Sequence, residues 1–130
     1  MLVRITRQIL LGDLDDIDQA VSEGATVILN VAKEVDDNKE LPVKIIKIGL
    51  IDDAIEQRNM CDIATKVLTQ LVLSGEVVFV HCAMGVSRSP YIVARYFAMK
   101  NKISVSRAYH DLKSKYPLAD EECPLRGSYE

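Results

Sequence analysis

The stretch that decides the fold is VVFVHCAMGVSRSP, residues 77–90. Its first residues are apolar and β-branched or aromatic, which predicts a short buried strand that ends at His81 and Cys82. Small residues then form a loop, and a helical pattern begins at Arg88 and Ser89. The result is a Cys-x5-Arg-Ser motif between a strand and a helix. We expect most of the remaining chain to support this loop.

Predicted strands and helices alternate along the chain on both sides of this motif. The pattern predicts one or two short strands in 3–11 and strands at 25–31, 43–48 and 77–81; it predicts helices at 14–22, 55–73, 88–99 and 104–115. This alternation indicates an α/β fold of three layers, in which a central, mostly parallel sheet is flanked by helices. The length of 130 residues favours a single domain over residues 1–130.

Composition and charge limit the classes of partner. The net charge is −3, from 16 basic and 19 acidic residues, so we expect no nucleic-acid partner and only a local anion site. The N-terminus lacks the long apolar stretch of a signal peptide, and no apolar run approaches the roughly 20 residues that span a bilayer. Three cysteines do not make a disulfide framework, and their spacing does not suggest zinc. We therefore expect a cytoplasmic monomer with no membrane segment, metal or cofactor.

The loop between Cys82 and Arg88 has the features of an anion site. In α/β sheets ligands bind beyond the carboxyl ends of the strands, and a helix N-terminus adds positive potential there. Gly85 permits a tight loop, and the planar fork of Arg88 matches two phosphate oxygens. The residues expected to bind phosphate are Ala83, Met84, Gly85, Val86, Ser87 and Arg88.

The same surroundings favour Cys82 as a nucleophile. A thiol at a helix N-terminus beside cationic groups ionises near neutral pH, and Ser89 can donate its hydroxyl to the sulfur. We expect His81 to hydrogen-bond to the backbone and hold the loop rather than act as a base. The alternative is a buried structural cysteine with a surface-paired arginine, and a disulfide from Cys82 to Cys61 or Cys123 also stays open because sequence separation does not test the geometry.

At these residues the chain resembles the compact dual-specificity branch of the cysteine-dependent protein tyrosine phosphatase superfamily. The run from His81 to Ser89 matches the family signature, and QILLG at 8–12 and VILNV at 27–31 resemble the family's opening and core strands. The resemblance covers roughly residues 4–116. It ends at LADEECP, residues 118–124, which differs from the aromatic-containing last helix of the family.

The resemblance also implies a general acid and a supporting residue. The family's acid is an aspartate about thirty positions before the cysteine, and both Asp52 and Asp53 are at that distance from Cys82. The strand-then-aspartate pattern favours Asp52, whereas Asp53 fits better as the N-cap of the following helix and is the alternative acid. Asn30 resembles an asparagine that braces the phosphate loop, although a role in the turn at the end of its strand is equally open.

The implied function is hydrolysis of phosphomonoesters on phosphotyrosine, and on phosphoserine and phosphothreonine, in proteins. It would proceed without metal through a cysteinyl-phosphate intermediate, with Cys82, Arg88, Asp52 and Ser89 as the catalytic residues, and phosphorylated proteins would be the partners. Alternatives from other classes are a phosphatase for an RNA end, lipid or sugar, a non-catalytic phospho-binding module, and sulfur transfer or arsenate reduction.

Overall fold

The apolar segments predicted as strands form one sheet in the computed structural model, which describes residues 1–37, 40–51, 57–121, 123 and 125. The strands are β1 (Val3–Arg4), β2 (Ile9–Gly12), β3 (Val27–Ala32), β4 (Lys44–Leu50) and β5 (Val78–His81). The helices are α1 (Ile17–Ser22), which follows a 3-10 turn at Leu14–Asp16, α2 (Arg58–Leu73), α3 (Arg88–Asn101) and α4 (Val105–Lys115).

Within the described residues the strand order is β1-β2-β5-β3-β4. The short edge strand β1 is antiparallel to β2, and the other neighbouring pairs are parallel, which confirms a mostly parallel sheet. The fully buried strand β5 lies at the centre, where Phe79 pairs with Leu10 on β2 and with Ile28 on β3. The loop that follows β5 therefore begins at the middle of the sheet's carboxyl edge.

Helices cover both faces of the sheet, as the sequence predicted. A larger hydrophobic cluster joins one face to α2, α3 and α4, with Leu68, Ile92 and Leu112 among its members. A smaller cluster joins the other face to α1 and includes Ile17 and Phe79. The three-layer prediction is confirmed. No helix in the described ranges is long and apolar enough to cross a bilayer.

The structure corrects details of the predicted elements. β4 continues to Leu50 rather than 48, and α2 begins at Arg58, while residues 52–56 lie outside the described part of the chain. Two residues that apolar spacing places on the buried face of α2, Met60 and Ile63, are 36% and 45% exposed. The buried residues of α2 are Cys61, Ala64, Thr65 and Leu68. These follow the three- and four-residue spacing of one helix face, and Met60 and Ile63 lie beside it.

Candidate active site

Cys82 begins a loop at the carboxyl end of β5, and Arg88 ends that loop as the first residue of α3. We call residues 82–88 the anion loop. The thiol of Cys82 is buried, and its Sγ lies 3.3 Å from Oγ of Ser89. A cavity of about 260 Å³ is lined by Glu34, Cys82, Ala83, Met84, Val86, Ser87 and Arg88. The structure thus brings the predicted nucleophile together with most of the predicted phosphate-binding residues.

The backbone of the anion loop is tied to the surrounding scaffold through its carbonyl oxygens. Among loop residues 82–87, before α3 begins, four of these oxygens accept hydrogen bonds in the described structure: Cys82 from Nδ1 of His81 (2.9 Å), Ala83 from the amide of Leu14 (3.3 Å), Val86 from the amide of Asp120 (2.6 Å) and Ser87 from the amide of Tyr91 (3.1 Å). The negative ends of these peptides are thereby satisfied by protein donors. Such an arrangement favours a loop that offers N–H groups, rather than carbonyl oxygens, to a ligand.

Gly85 is required at its position for two independent reasons. Its φ of +71° lies in the left-handed region, which side chains disfavour. A Cβ there would also lie 2.7 Å from the carbonyl oxygen of Gly12 and 2.8 Å from the hydroxyl of Tyr116. The hydroxyl of Tyr116 is buried and has no hydrogen-bond partner among the described residues. Burial raises the pKa of Tyr116 and keeps it protonated.

Arg88 is buried and is held by two acceptors from outside the anion loop. Its Nη1 and Nη2 donate to Oε1 and Oε2 of Glu34, each at 2.6 Å, and Nη1 also donates to the carbonyl oxygen of Leu50 at 2.9 Å. The hydrogen bonds from Arg88 lower the pKa of Glu34 to about 2. Glu34 therefore remains a carboxylate at neutral pH and fixes one end of the guanidinium.

Asn30 supports this arrangement through the turn after β3. Its Nδ2 donates to the carbonyl oxygen of Val35 at 2.7 Å, and its Oδ1 accepts from the amide of Ala32 at 2.9 Å. Among the described residues the hydrogen bonds of Asn30 stay within this turn, which agrees with a turn role, and its role as a brace of the phosphate loop stays a prediction. The same turn carries Glu34, which hydrogen-bonds to Arg88. Asn30 is therefore linked to the anion loop indirectly, through Glu34 and Arg88.

His81 is completely buried between two acceptors. Its Nδ1 lies 2.9 Å from the carbonyl oxygen of Cys82, and its Nε2 lies 2.9 Å from Oδ1 of Asp37. A carbonyl oxygen only accepts, so Nδ1 carries a proton, and the prediction that His81 bonds to the backbone is confirmed. The side chain of Asp37 is 2% exposed and fixes the orientation of the imidazole.

Sequence reasoning did not identify Glu34 and Asp37 as part of this site. Both lie in a stretch that reads as a solvated loop, residues 33–40. Neither has a motif of its own, because their partners Arg88 and His81 are far away in sequence. Strand pairing supplies the missing information, since Asn30 on β3 is the register partner of His81 on β5. The turn after β3 is consequently placed beside the anion loop.

The two candidate acids, Asp52 and Asp53, lie outside the described residues, and their roles stay predictions. All three cysteines are buried and none of them forms a disulfide, so the disulfide alternatives are not present in this structure. Burial raises the pKa of Cys61 to about 11, which makes it a poor nucleophile at neutral pH. Cys123 instead contacts the anion loop, with its Sγ 3.4 Å from Oγ of Ser87.

The chain is similar to known proteins over most of its length. Residues 13–124 match the family model described as dual specificity phosphatase, catalytic domain. Over 112 residues the chain is 30% identical to the dual specificity protein phosphatase OPG106 of vaccinia virus, strain Western Reserve. That alignment covers 84% of this chain and 66% of the viral protein, so the chain spans just under two thirds of that relative's length.

Solved structures show the same fold at lower sequence identity. The structure of human DUSP28 superposes with a TM-score of 0.79 at 23% identity, covering 92% of this chain and 83% of that one. The structure of DUSP15 superposes with a TM-score of 0.84 at 18% identity, covering 98% and 83% of the two chains. These similarities show a shared fold that extends over nearly the whole chain.

Proposed function

The chain belongs to the dual specificity phosphatase family, and on that premise we propose that it hydrolyses phosphomonoesters on proteins. The proposed substrates carry phosphotyrosine, and also phosphoserine or phosphothreonine. One observation carries the proposal: the buried thiol of Cys82 lies 3.3 Å from the hydroxyl of Ser89 in a cavity that Arg88 also lines. Such a site combines a candidate nucleophile with an anion-binding loop.

In the first step the thiolate of Cys82 attacks phosphorus in line with the leaving oxygen. The S–P bond forms as the bond from phosphorus to the leaving oxygen breaks. Ser89 donates a hydrogen bond to the sulfur, which stabilises it as nucleophile and later as leaving group. The N–H groups of the anion loop and the guanidinium of Arg88 stabilise the charge on the three equatorial oxygens.

Arg88 has a geometry suited to this role because Glu34 and Leu50 occupy one end of it. Their oxygens accept two hydrogen bonds from Nη1 and one from Nη2, at distances of 2.6 to 2.9 Å. The other edge of the guanidinium, formed by Nε and Nη2, has the spacing of two phosphate oxygens. Glu34 therefore orients Arg88 in the proposed mechanism rather than competing with the substrate.

Asp52 is the proposed general acid, and Asp53 is the alternative. The acid protonates the leaving phenol or alcohol, a contribution of roughly 10²–10⁴ in rate. In the second step the same carboxylate takes a proton from water, which attacks phosphorus and breaks the S–P bond to release inorganic phosphate and the thiolate.

Asp52→Ala is expected to slow release of an alkyl leaving group more than Asp53→Ala does, and the reverse order would reassign the acid.

The cavity supports a protein substrate with one phosphoryl group over a ligand that carries several phosphoryl groups. Among the described residues that line it, Arg88 is the one basic side chain, and Met84 adds an apolar surface that is 72% exposed. RNA ends and polyphosphorylated sugars usually need additional positive charge.

No metal or cofactor enters the proposed mechanism, because Arg88 and the loop N–H groups supply the positive charge. We also propose that residues 1–130 act as one catalytic domain and that the protein is a cytoplasmic monomer, whose cysteines stay reduced.

Assays with p-nitrophenyl phosphate, a phosphotyrosine peptide, thiosulfate and arsenate test this proposal. Wild-type protein should hydrolyse the two phosphoesters in the presence of a chelator, and it should not act on thiosulfate or arsenate. Cys82→Ser should bind the phosphopeptide without turnover, while the matched control Cys61→Ser retains activity. A wild-type protein that binds the peptide without hydrolysing it would instead be a phospho-binding module.

A further inference from the structure

The segment after α4 lies against the anion loop, and it falls within the family match, which extends to residue 124 rather than ending near 116 as the sequence predicted. We call residues 116–121 and 123 the C-terminal strap. It contacts three consecutive residues of the loop. The hydroxyl of Tyr116 lies where a side chain at Gly85 would be, 2.8 Å from the Cβ position. The amide of Asp120 donates to the carbonyl oxygen of Val86 at 2.6 Å.

The third contact is made by Cys123 with Ser87. Oγ of Ser87 lies 3.4 Å from Sγ of Cys123, and the thiol also lies 3.6 Å from the carbonyl oxygen of Ser87. Cys123 is 4% exposed, so this contact is closed to solvent. Gly85, Val86 and Ser87 are thereby all contacted by the strap.

The strap is itself anchored to α4. The hydroxyl of Tyr109 donates to the carbonyl oxygen of Asp120 at 2.7 Å, and Nζ of Lys113 donates to that of Ala119 at 2.5 Å. Tyr116 and Ala119 are buried in the main hydrophobic cluster. These hydrogen bonds and buried side chains fix the strap to α4, so the loop residues that the strap contacts are held in place as well.

We propose that the C-terminal strap positions residues 85–87 of the anion loop for oxyanion binding, with the amide of Asp120 and the thiol of Cys123 as its positioning groups. This inference deepens the proposed function, on which it rests. Binding of a tetrahedral oxyanion requires that several N–H groups converge, and small displacements of such groups cost large factors in rate. The amide of Asp120 holds the Val86 carbonyl oxygen, and so fixes the plane of the peptide that carries the N–H of Ser87.

The first test compares Asp120→Pro with Asp120→Ala in the full chain. Proline removes the N–H that bonds to Val86, whereas alanine keeps it and removes only the side chain. Calorimetric titration with sodium tungstate, a tetrahedral oxyanion, measures the loop directly. We expect Asp120→Pro to weaken tungstate binding at least tenfold and Asp120→Ala to change it by less than twofold. A folded Asp120→Pro protein with the affinity of Asp120→Ala would overturn the proposal.

A second pair keeps the test decisive if Asp120→Pro does not fold. Cys123→Val removes the hydrogen-bonding group at nearly constant volume, and Cys123→Ser keeps a donor and an acceptor. We expect Cys123→Val to lose tungstate affinity and kcat for p-nitrophenyl phosphate together, and Cys123→Ser to restore most of both. Equal affinities in these two variants would contradict a positioning role. A purely structural role would lower the unfolding midpoint of both variants and leave the tungstate affinity of the folded protein unchanged.

These experiments distinguish failure of the strap proposal from failure of the proposed phosphatase activity. Wild-type protein that binds tungstate but hydrolyses no phosphoester would refute the phosphatase activity, and the two variant pairs would still decide the role of the strap. Wild-type protein that binds no tungstate would overturn the strap proposal itself.

Discussion

Arg88 and Glu34 form an end-on ion pair in which each terminal nitrogen of the guanidinium lies 2.6 Å from a carboxylate oxygen. The arginine side chain is 3% exposed and the glutamate side chain 57% exposed. A solvent-exposed carboxylate on the turn after β3 therefore holds a buried cation at the start of α3. The pair joins two parts of the chain that are 54 positions apart.

Removal of the Glu34 charge should impair the site without unfolding the protein. In Glu34→Gln one acceptor oxygen and the negative charge are lost, so Arg88 is less well oriented toward a phosphate. We expect kcat/KM for p-nitrophenyl phosphate to fall about tenfold or more. Asp36→Asn is the matched control, because Asp36 is exposed on the same turn and pairs with Lys47 instead. Equal activities of the two variants would show that Glu34 does not orient Arg88.

The same pair predicts a dependence of stability on pH. Arg88 lowers the folded-state pKa of Glu34 from 4.5 to about 2, so the stabilisation is complete above pH 4.5 and is lost as the pH falls toward 2. Because Glu34 is exposed, this stabilisation amounts to about 1 kcal/mol or less. Urea unfolding of wild type and Glu34→Gln should show a larger difference at about pH 7 than at about pH 3. A difference that grows on acidification would contradict this assignment.

Asp37 should be replaceable by asparagine but not by leucine. The amide of an asparagine at this position can still hydrogen-bond to Nε2 of His81, whereas leucine leaves that buried nitrogen without its partner. We expect Asp37→Leu to lower the free energy of unfolding by about 1–3 kcal/mol and Asp37→Asn to cost less. Urea unfolding of both variants at neutral pH provides the measurement. Similar losses of stability in both variants would argue against this hydrogen bond.

Alanine substitutions at Gly85 and Gly75 form a matched pair that tests whether the anion loop depends on the glycine at position 85. Both have positive φ, +71° and +83°, but a Cβ at Gly75 would have nothing within 4 Å while one at Gly85 would clash with Gly12. Gly75→Ala should cost about 1–2 kcal/mol of stability and leave kcat/KM unchanged. Gly85→Ala should cost more stability and lower kcat/KM about a hundredfold, because the loop must move. Steady-state kinetics and thermal unfolding of both proteins provide the measurement.

The sequence was sufficient to predict those features of the fold and of the site that depend on local patterns. Alternating strands and helices predict the three layers, and the Cys-x5-Arg-Ser spacing predicts that Cys82, Ser89 and Arg88 share one loop and helix start. Asp13 has the residue type and position of an N-cap, and its side chain accepts a hydrogen bond from the amide of Asp15. Each of these features depends on residues that are close together in the chain.

Features that depend on distant segments were not predictable in the same way. Glu34 meets Arg88 because β3 lies beside β5, and a single exposed glutamate carries no sign of that strand order. The C-terminal strap has no helical period, and its fit against Gly85 depends on where α4 ends. Apolar spacing places Met60 and Ile63 on the same helix face as Ala64 and Leu68, but both are exposed, because spacing alone does not show which of two adjacent helix faces packs inward.

The central claim is that Cys82 becomes phosphorylated during turnover. Wild-type protein is mixed with excess p-nitrophenyl phosphate, quenched in acid within milliseconds, digested and analysed by mass spectrometry. We predict a peptide that carries one phosphoryl group on Cys82, which disappears when the reaction is quenched after the substrate is exhausted. An unmodified Cys82 throughout turnover, or a phosphoryl group on another residue, would contradict the account.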